Sequence, residues 1–587
     1  MQTCLIDELR KLKESSKEAV EGLDSFDDFK EYMHIHRDLE EIFSSLLIKS
    51  SSNSRSQLVL LCGGVGVGKS HIVSHQKNHN RELINKFDIH NDATESLKPQ
   101  GTAIETLNQV LDEFSDEKLQ ESHKKLILAI NLGTLSNFIN SEYQGRYKKL
   151  KKYIEDKKIL DPIIVDNSYD EKSHFQFLNL TDYHLFTLTK SGPKSDYIKE
   201  LFTRITQARE SNPFYYAYQK NCLYSCAYAN GCPVKYNYEF FREDSVQEKL
   251  IQLIIEGILK QKLIISTRSL LNFIFDILVS YEMDELLNTG KTHQLENLKI
   301  KNFIGNITPT IIFERQDASN ILEAFQQLDP LNNRTEELDN LLIRLSTAGD
   351  VASIFQKHIM LEHLSYLKQF FTPDLFEALN RNKVLRENLS KLFVRLYMFC
   401  PTEERSTLDD PTYRRYVQDL FFSNIEDKNQ LQPIYTDVKE AIYKWHGECE
   451  KNHISLLLSK QQLKYRVIQQ LELAPHVSDL QIREVGELDK FIPIILLKFK
   501  KKGRDSSIIE IPIDFSLYQL LLRVKDGYKA NKKDKNNFVN FVQFMEKVIA
   551  LGKQDRELIF EEKNCQDQVK FKLIYDEEFE NYKFERV

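Results

Sequence analysis

Leu58-Val59-Leu60-Leu61-Cys62-Gly63-Gly64-Val65-Gly66-Val67-Gly68-Lys69-Ser70-His71 is the stretch from which the rest of this chain is read. Four apolar residues in a row predict a buried strand, and Gly63 to Ser70 fit G-x-x-x-x-G-K-[ST] in full. Glycines let the backbone fold tightly, so successive N–H groups can point inward and form a nest for phosphate oxygens. Lys69 is expected to reach the β- and γ-phosphates as a mobile point charge. Ser70 is expected to place its hydroxyl on Mg²⁺ at the start of the following helix, whose positive end favours an anion. The expected nucleotide-binding residues are therefore Gly63, Gly64, Val65, Gly66, Val67, Gly68, Lys69, Ser70 and His71, with ATP and Mg²⁺ as cofactors.

At 587 residues the chain is too long for one core and predicts three or four domains. A net charge of −7 gives no global nucleic-acid signature, so any DNA contact must be local or supplied by a partner. No apolar run approaches the ~18–20 residues needed to span a membrane. Eight cysteines are too sparse for a disulfide scaffold. Together with a charged start lacking a signal-peptide core, these features predict a cytoplasmic protein with no membrane partner.

Residues 1–50 read as helical, with Leu39, Ile42, Phe43, Leu46 and Leu47 on one buried face. Tyr32-Met33-His34-Ile35 interrupt that rhythm, either as a segment lying against an adenine ring or as simple packing. After the glycine loop come a helix and a strand ending in acids and amides, Lys86 to Glu95. A second helix follows, with Ile104, Leu107, Leu111 and Phe114 on one side. The third strand, Leu126–Ile130, ends at Asn131, where a P-loop protein presents the acid of its Mg²⁺ shell. An amide there can orient a metal-bound water but cannot accept a proton. Asp92 and Glu95 are the first candidates for the missing negative charge, ahead of Asp166, and each also reads as a solvated loop acid.

A fourth strand, Phe175–Leu178, ends at Asn179, where AAA+ ATPases place the residue that senses the γ-phosphate. Arg268, near the start of a helix after Ser266-Thr267, resembles the sensor-2 arginine of AAA+ helical lids, or is an exposed helix arginine. Arg204 and Arg209 are candidates for a finger acting in trans. The basic run at 146–158 reads as a solvated helix face rather than a nucleic-acid contact. Cys222, Cys226 and Cys232 fall close together and point to Zn²⁺, with a fourth ligand such as His184 or His174. The alternative is three small buried hydrophobes.

The expected architecture is α/β, an AAA+-like P-loop NTPase with a parallel sheet and a helical lid, then a mainly helical region and a C-terminal α+β region. The expected divisions are an N-terminal helical segment at 1–50, an ATPase core at 51–245 with the cysteine-containing insertion, and a lid at 246–316. A helical domain at 317–477 and an α+β domain at 478–587 complete the chain. In the last of these, strands at 492–499 and 507–513 flank a basic turn, and helices lie at 515–525 and around Phe538 to Val548.

Several stretches together resemble one family, the DNA phosphorothioation-dependent restriction protein DptF: SSKEAVEGLDSFDDFKEYMHI, GGVGVGKSH, FDIHNDATES, LILAINLG and CPVKYNYEF. The glycine loop alone is unspecific; NDATES paired with AINLG discriminates far better. The resemblance implies the ATPase component of a bacterial defence system that, with two partner proteins, restricts DNA lacking sulfur in place of a non-bridging phosphate oxygen. It also implies that DNA is reached through that complex, and that Asn131 belongs to the family's normal pattern. A homo-oligomer is compatible with Arg204 and Arg209 serving a neighbouring copy. The competing expectation is a nucleotide-gated scaffold that hydrolyses ATP weakly and recruits partner nucleases. No paired acids with lysine and no H-N-H-type cluster suggest a nuclease in the chain itself.

Overall fold

The computed structural model describes residues 4–18, 28–64, 67–91, 102–161, 164–289, 292–316, 318–332, 335–348, 351–359, 382–400, 410–458, 462, 464–503, 507–552, 557–562 and 570–586. These residues form two compact units, one of 1–187 with 193–409 and the other of 188–192 with 410–587. Among them, no helix is long and apolar enough to cross a membrane.

The first unit is built on a four-stranded parallel sheet. Its strands are β1 (Gln57–Cys62), β2 (Asp88–His90), β3 (Lys125–Ile130) and β4 (Phe175–Asn179), in the order β2-β3-β1-β4. β1 is central and every one of its residues is buried, which is why it reads as a continuous apolar run rather than an alternation. Its side chains still alternate between two cores. Leu58, Leu60 and Cys62 pack with Leu126, Leu128 and Ile130 of β3 beneath Leu107, Phe114, Leu135, Phe138, Leu150 and Ile154. Val59 and Leu61 face the other way, with Ile127, onto Leu39, Phe43, Leu46 and Leu47 of α3 (Asp38–Ser52) and onto Ile72 and Val73 of α4 (Lys69–His79). The sheet is thus sandwiched between two helical layers, an α/β arrangement.

Before this sheet, α1 (Leu5–Glu18) and α2 (Asp28–Met33) precede α3. Leu5, Ile6, Leu9 and Leu12 bury one face of α1 against the helices Thr267–Leu278 and Pro213–Ala217 and the π-helical turn Tyr218–Leu223. In the stretch read as a helical lid, 246–316, lie the helices Asp244–Gln261, Thr267–Leu278, Tyr281–Asn288 and Thr308–Glu314. Further along, Arg395 is a buried cation within this unit, with Nη2 2.7 Å from Asp329 Oδ2 and Nη1 2.7 Å from Glu314 Oε1.

The second unit is α+β. Strands Ile509–Ile513, Ile495–Lys501 and Leu473–Pro475 form one antiparallel sheet. A second, five-stranded antiparallel sheet contains His453–Leu456 and Tyr465–Gln470. These strands correct the expectation of a mainly helical region through 477. Runs of four to six residues such as His453–Leu456 and Tyr465–Gln470 carry too little periodicity to separate a strand from a buried helical turn. The expected helix 515–525 is present as Phe515–Lys525, capped by Asp514, whose side chain accepts from the Leu517 N–H.

Candidate functional site

β1 ends at Cys62 between Ile130 of β3 and Asn179 of β4, and the glycine loop starts from the middle of the sheet edge. The Gly63 N–H still donates to the Ile130 carbonyl at 3.3 Å. A Cβ on Gly63 would lie 2.6 Å from Val67 Cγ2, so the loop curls back onto its own start. Gly68 caps the N-terminus of α4 with φ +96°, a left-handed conformation that side chains disfavour. Lys69 Nζ lies over the loop and donates to the carbonyls of Gly63 and Gly64 at 2.8 and 2.7 Å. Val65 and Gly66, at the loop's tip, lie outside the described residues.

Ser70 is exposed on the first turn of α4, and its Oγ accepts from Asn91 Nδ2 at 3.1 Å. Asn91 follows directly on β2, whose register against β3 (Asp88 beside Leu126, His90 beside Leu128) carries its C-terminal end to the loop side of the sheet. Asp92 and Glu95 lie outside the described residues. β2 is not the immediate neighbour of β1, yet its end reaches Ser70.

Asn131 follows β3 beside the start of the glycine loop. Its Oδ1 accepts from the Thr134 N–H at 2.7 Å and so caps the helix Leu132–Ile139. Asn179 lies on the other flank of β1; its Oδ1 accepts from the Thr181 N–H at 3.1 Å and its Nδ2 donates to Asp182 at 2.7 Å. The two amides thus bracket the end of β1 while holding their own strand-to-helix turns. Asp166 forms a local turn instead, accepting from the Ser168 N–H at 2.9 Å and hydroxyl at 2.6 Å.

Arg268 is the second residue of its helix and half-buried. Its neighbour Thr267 places Oγ1 3.1 Å from the Tyr197 hydroxyl, and the Tyr197 ring lies 5.4 Å from the Arg37 guanidinium. Arg204 is held by Glu200 at 3.1 Å and stands 5.9 Å from the Tyr32 ring.

The connector after α2 packs on α4. His34 Nδ1 is 3.0 Å from His71 Nε2, and its ring stacks on His75 with centroids 4.1 Å apart. His75 stacks in turn on His79 at 4.2 Å. Glu40, on the first turn of α3, is buried beneath these rings. Burial, with His34 adding to it, pushes His71 down to about 4, so at neutral pH this imidazole is uncharged. Burial lowers His75 as well.

Cys222, Cys226 and Cys232 share one turn region with a fourth thiol, Cys4, at the start of α1. Burial raises the Cys222 thiol, and Cys232, Cys4 and Cys226 raise it further. Burial likewise pushes Cys232 up to about 11, with Cys4 and Cys226 adding to the shift. His174 is engaged elsewhere, with Nδ1 2.8 Å from Ser56 Oγ. Among the described residues, the metal-ligand atoms that converge within 4.8 Å of one another are those of His34, Glu40 and His75, not three of the thiols.

No protein-family model, curated protein or solved structure matches the chain.

The residues that sequence reasoning passed over are Asn91, Cys4 and the grouping of His34, Glu40 and His75 with the histidines of α4. The last had a signal: His71, His75 and His79 recur at i, i+4 and i+8 along α4 and so share one face. Asn91 had none, because nothing in FDIHND ranks one amide above its neighbours. Cys4 is 218 positions before Cys222 (222 minus 4), a distance only folding closes.

Proposed function

We propose that the chain binds MgATP at Gly63–Ser70 and hydrolyses it as the ATP-driven component of a bacterial restriction complex acting on DNA without phosphorothioate modification. The observation carrying the nucleotide reading is the strand–loop–helix at the centre of the parallel sheet, with Lys69 over the loop and the Ser70 hydroxyl bonded by Asn91. The donor set fits the group: backbone N–H groups at a helix N-terminus, one cation, and a hydroxyl for the magnesium shell. Lys69 would hold the β- and γ-phosphates, Ser70 the Mg²⁺, and Asn131, Asn179 and Arg268 would respond to the γ-phosphate. Asp92 or Glu95 would supply the carboxylate. The restriction reading, its two partner proteins and access to DNA through them rest on the family resemblance, and a cytoplasmic location rests on the sparse cysteines and the charged start of the chain. Cys4 is the nearest further thiol to Cys222, Cys226 and Cys232, but no three of these sulfurs converge as zinc ligands would, so the zinc reading of this cluster has no geometric support.

The test is ATP binding by the Lys69→Ala chain, followed by circular dichroism. Affinity should fall by more than 100-fold with the fold intact, on the scale of a lost charge-assisted contact or more. Unchanged affinity would remove the site. A nucleotide-gated scaffold is the second reading, favoured by the amide of Asn91, rather than a carboxylate, on Ser70. Turnover measured with and without DNA and partner proteins separates the two, since a scaffold needs occupancy and not cycling.

A further inference from the structure

Glu40 is a carboxylate only 4% exposed, and three imidazoles converge on one of its oxygens. His34 Nε2 lies 3.2 Å from Glu40 Oε2, His36 Nδ1 3.3 Å and His75 Nδ1 3.6 Å. That oxygen has no surface exposed and no hydrogen bond of good geometry. A buried anion in that position needs a cation.

The spacing supplies an answer. Ligands bound at about 2.0–2.1 Å to a tetrahedral zinc ion stand about 3.3 Å apart along each edge. The three nitrogen–oxygen separations straddle that value. We propose that His34, His75 and Glu40 hold one Zn²⁺ ion, joining the connector and α3 to α4, the helix that carries Lys69 and Ser70. Imidazole and carboxylate donors without a thiol suit zinc among the common ions, and Mg²⁺ prefers an oxygen shell that keeps its waters.

The surroundings have the form such sites need. His34 meets the ligand cluster with Nε2 while its Nδ1 is fixed by His71 at 3.0 Å, the outer contact that sets tautomer and ring angle in metal-bound histidines. His79 stacks on the opposite side of His75 and has Nε2 3.5 Å from Glu31. A groove of about 440 Å³ between α3 and α4 opens onto His36, Glu40 and His75, giving an ion its way in. With ligands from the connector, α3 and α4, the ion fixes the first turns of α4 against the connector, and the fourth position faces the groove. His71, which adjoins Ser70, contacts the proposed ligand His34.

The experiment uses the full chain without a histidine tag, stripped of metal and titrated with Co²⁺, then with Zn²⁺. Cobalt in a tetrahedral nitrogen–oxygen site absorbs in the visible without the near-ultraviolet band of cobalt–thiolate bonds, which separates this site from the cysteines. One equivalent should bind with thiolate-free tetrahedral bands that Zn²⁺ displaces. His75→Ala should lose those bands. Glu40→Gln keeps the side-chain shape, removes the anionic ligand, and should weaken binding by at least tenfold. His453→Ala, in the other unit, should behave as wild type. Circular dichroism checks each fold. No cobalt at stoichiometric concentration, bands of thiolate type only, or wild-type spectra in folded His75→Ala and Glu40→Gln would each overturn the proposal.

Discussion

Asn91 Nδ2 donates to Ser70 Oγ at 3.1 Å, tying the end of β2 to the first turn of α4 across an intervening strand. Ser70 is the hydroxyl that the nucleotide reading assigns to Mg²⁺. Removing the Asn91 amide should leave that hydroxyl free to rotate. Asn91→Ala is therefore expected to weaken MgATP binding about tenfold, the scale of one hydrogen bond of ~1–1.5 kcal/mol, with little effect on ATP in excess EDTA. Titration calorimetry with and without Mg²⁺ measures both. Equal losses under the two conditions would detach Asn91 from the metal.

The closure of the glycine loop is open to a compensating pair. Gly63→Ala places a methyl 2.6 Å from Val67 Cγ2, with Leu180 Cβ at 3.3 Å. The nearer atom is the tip of a side chain, so Val67→Ala can make room for it. Gly63→Ala alone should lower nucleotide affinity at least tenfold. The double variant Gly63→Ala with Val67→Ala should recover most of the loss, a non-additivity expected of residues in contact. Additive losses would mean that Gly63 acts through its backbone angles and not through this contact.

Much of this site was legible because the sheet's local signals agree with its final topology. Val59 and Leu61 alternate faces with Leu60 inside a buried strand, and Gly68 stands where only a residue without Cβ adopts φ +96° easily. Strand order was not legible. Asn131 stands at a strand end as expected, but the pairing of β3 directly with β1 and the reach of Asn91 to Ser70 depend on which strands neighbour each other. Sequence separation also hid Cys4 from Cys222. The β-strands His453–Leu456 and Tyr465–Gln470 were missed for a different reason, being too short for periodicity to assert itself.

Arg395 is buried to 3% exposure, between Asp329 and Glu314. Arg395→Met keeps most of the volume but leaves the nearly buried Asp329 carboxylate without its counter-charge. Breaking a buried pair from one side costs about 3–5 kcal/mol. Hydrogen exchange across 383–399 should accelerate by more than 100-fold in Arg395→Met, while Arg395→Met with Asp329→Leu should regain protection. A single variant exchanging like wild type would show that the pair contributes nothing to this helix.

Asp419 gives the second unit a pH dependence that its lone tryptophan can report. Burial pushes the Asp419 carboxyl from 3.8 up to about 6, against the Arg415 guanidinium and the Tyr518 hydroxyl, which donates at 2.8 Å. A carboxyl raised in the folded state is held best when neutral. Its contribution is therefore full below about pH 4, the unfolded range, and is lost as pH rises through about 6. Asp419→Asn keeps an acceptor for Tyr518 and cannot ionise, and Arg415 retains its contact with Asp437. The variant should match wild type near pH 4 and exceed its stability above pH 7 by roughly 2–3 kcal/mol, the equivalent of about two pKa units. Trp445 is the chain's one tryptophan and lies buried in this unit, so thermal unfolding followed by its fluorescence reads the difference directly. A stability gap that stayed constant from pH 4 to pH 8 would mean that Asp419 is already ionised in the folded protein.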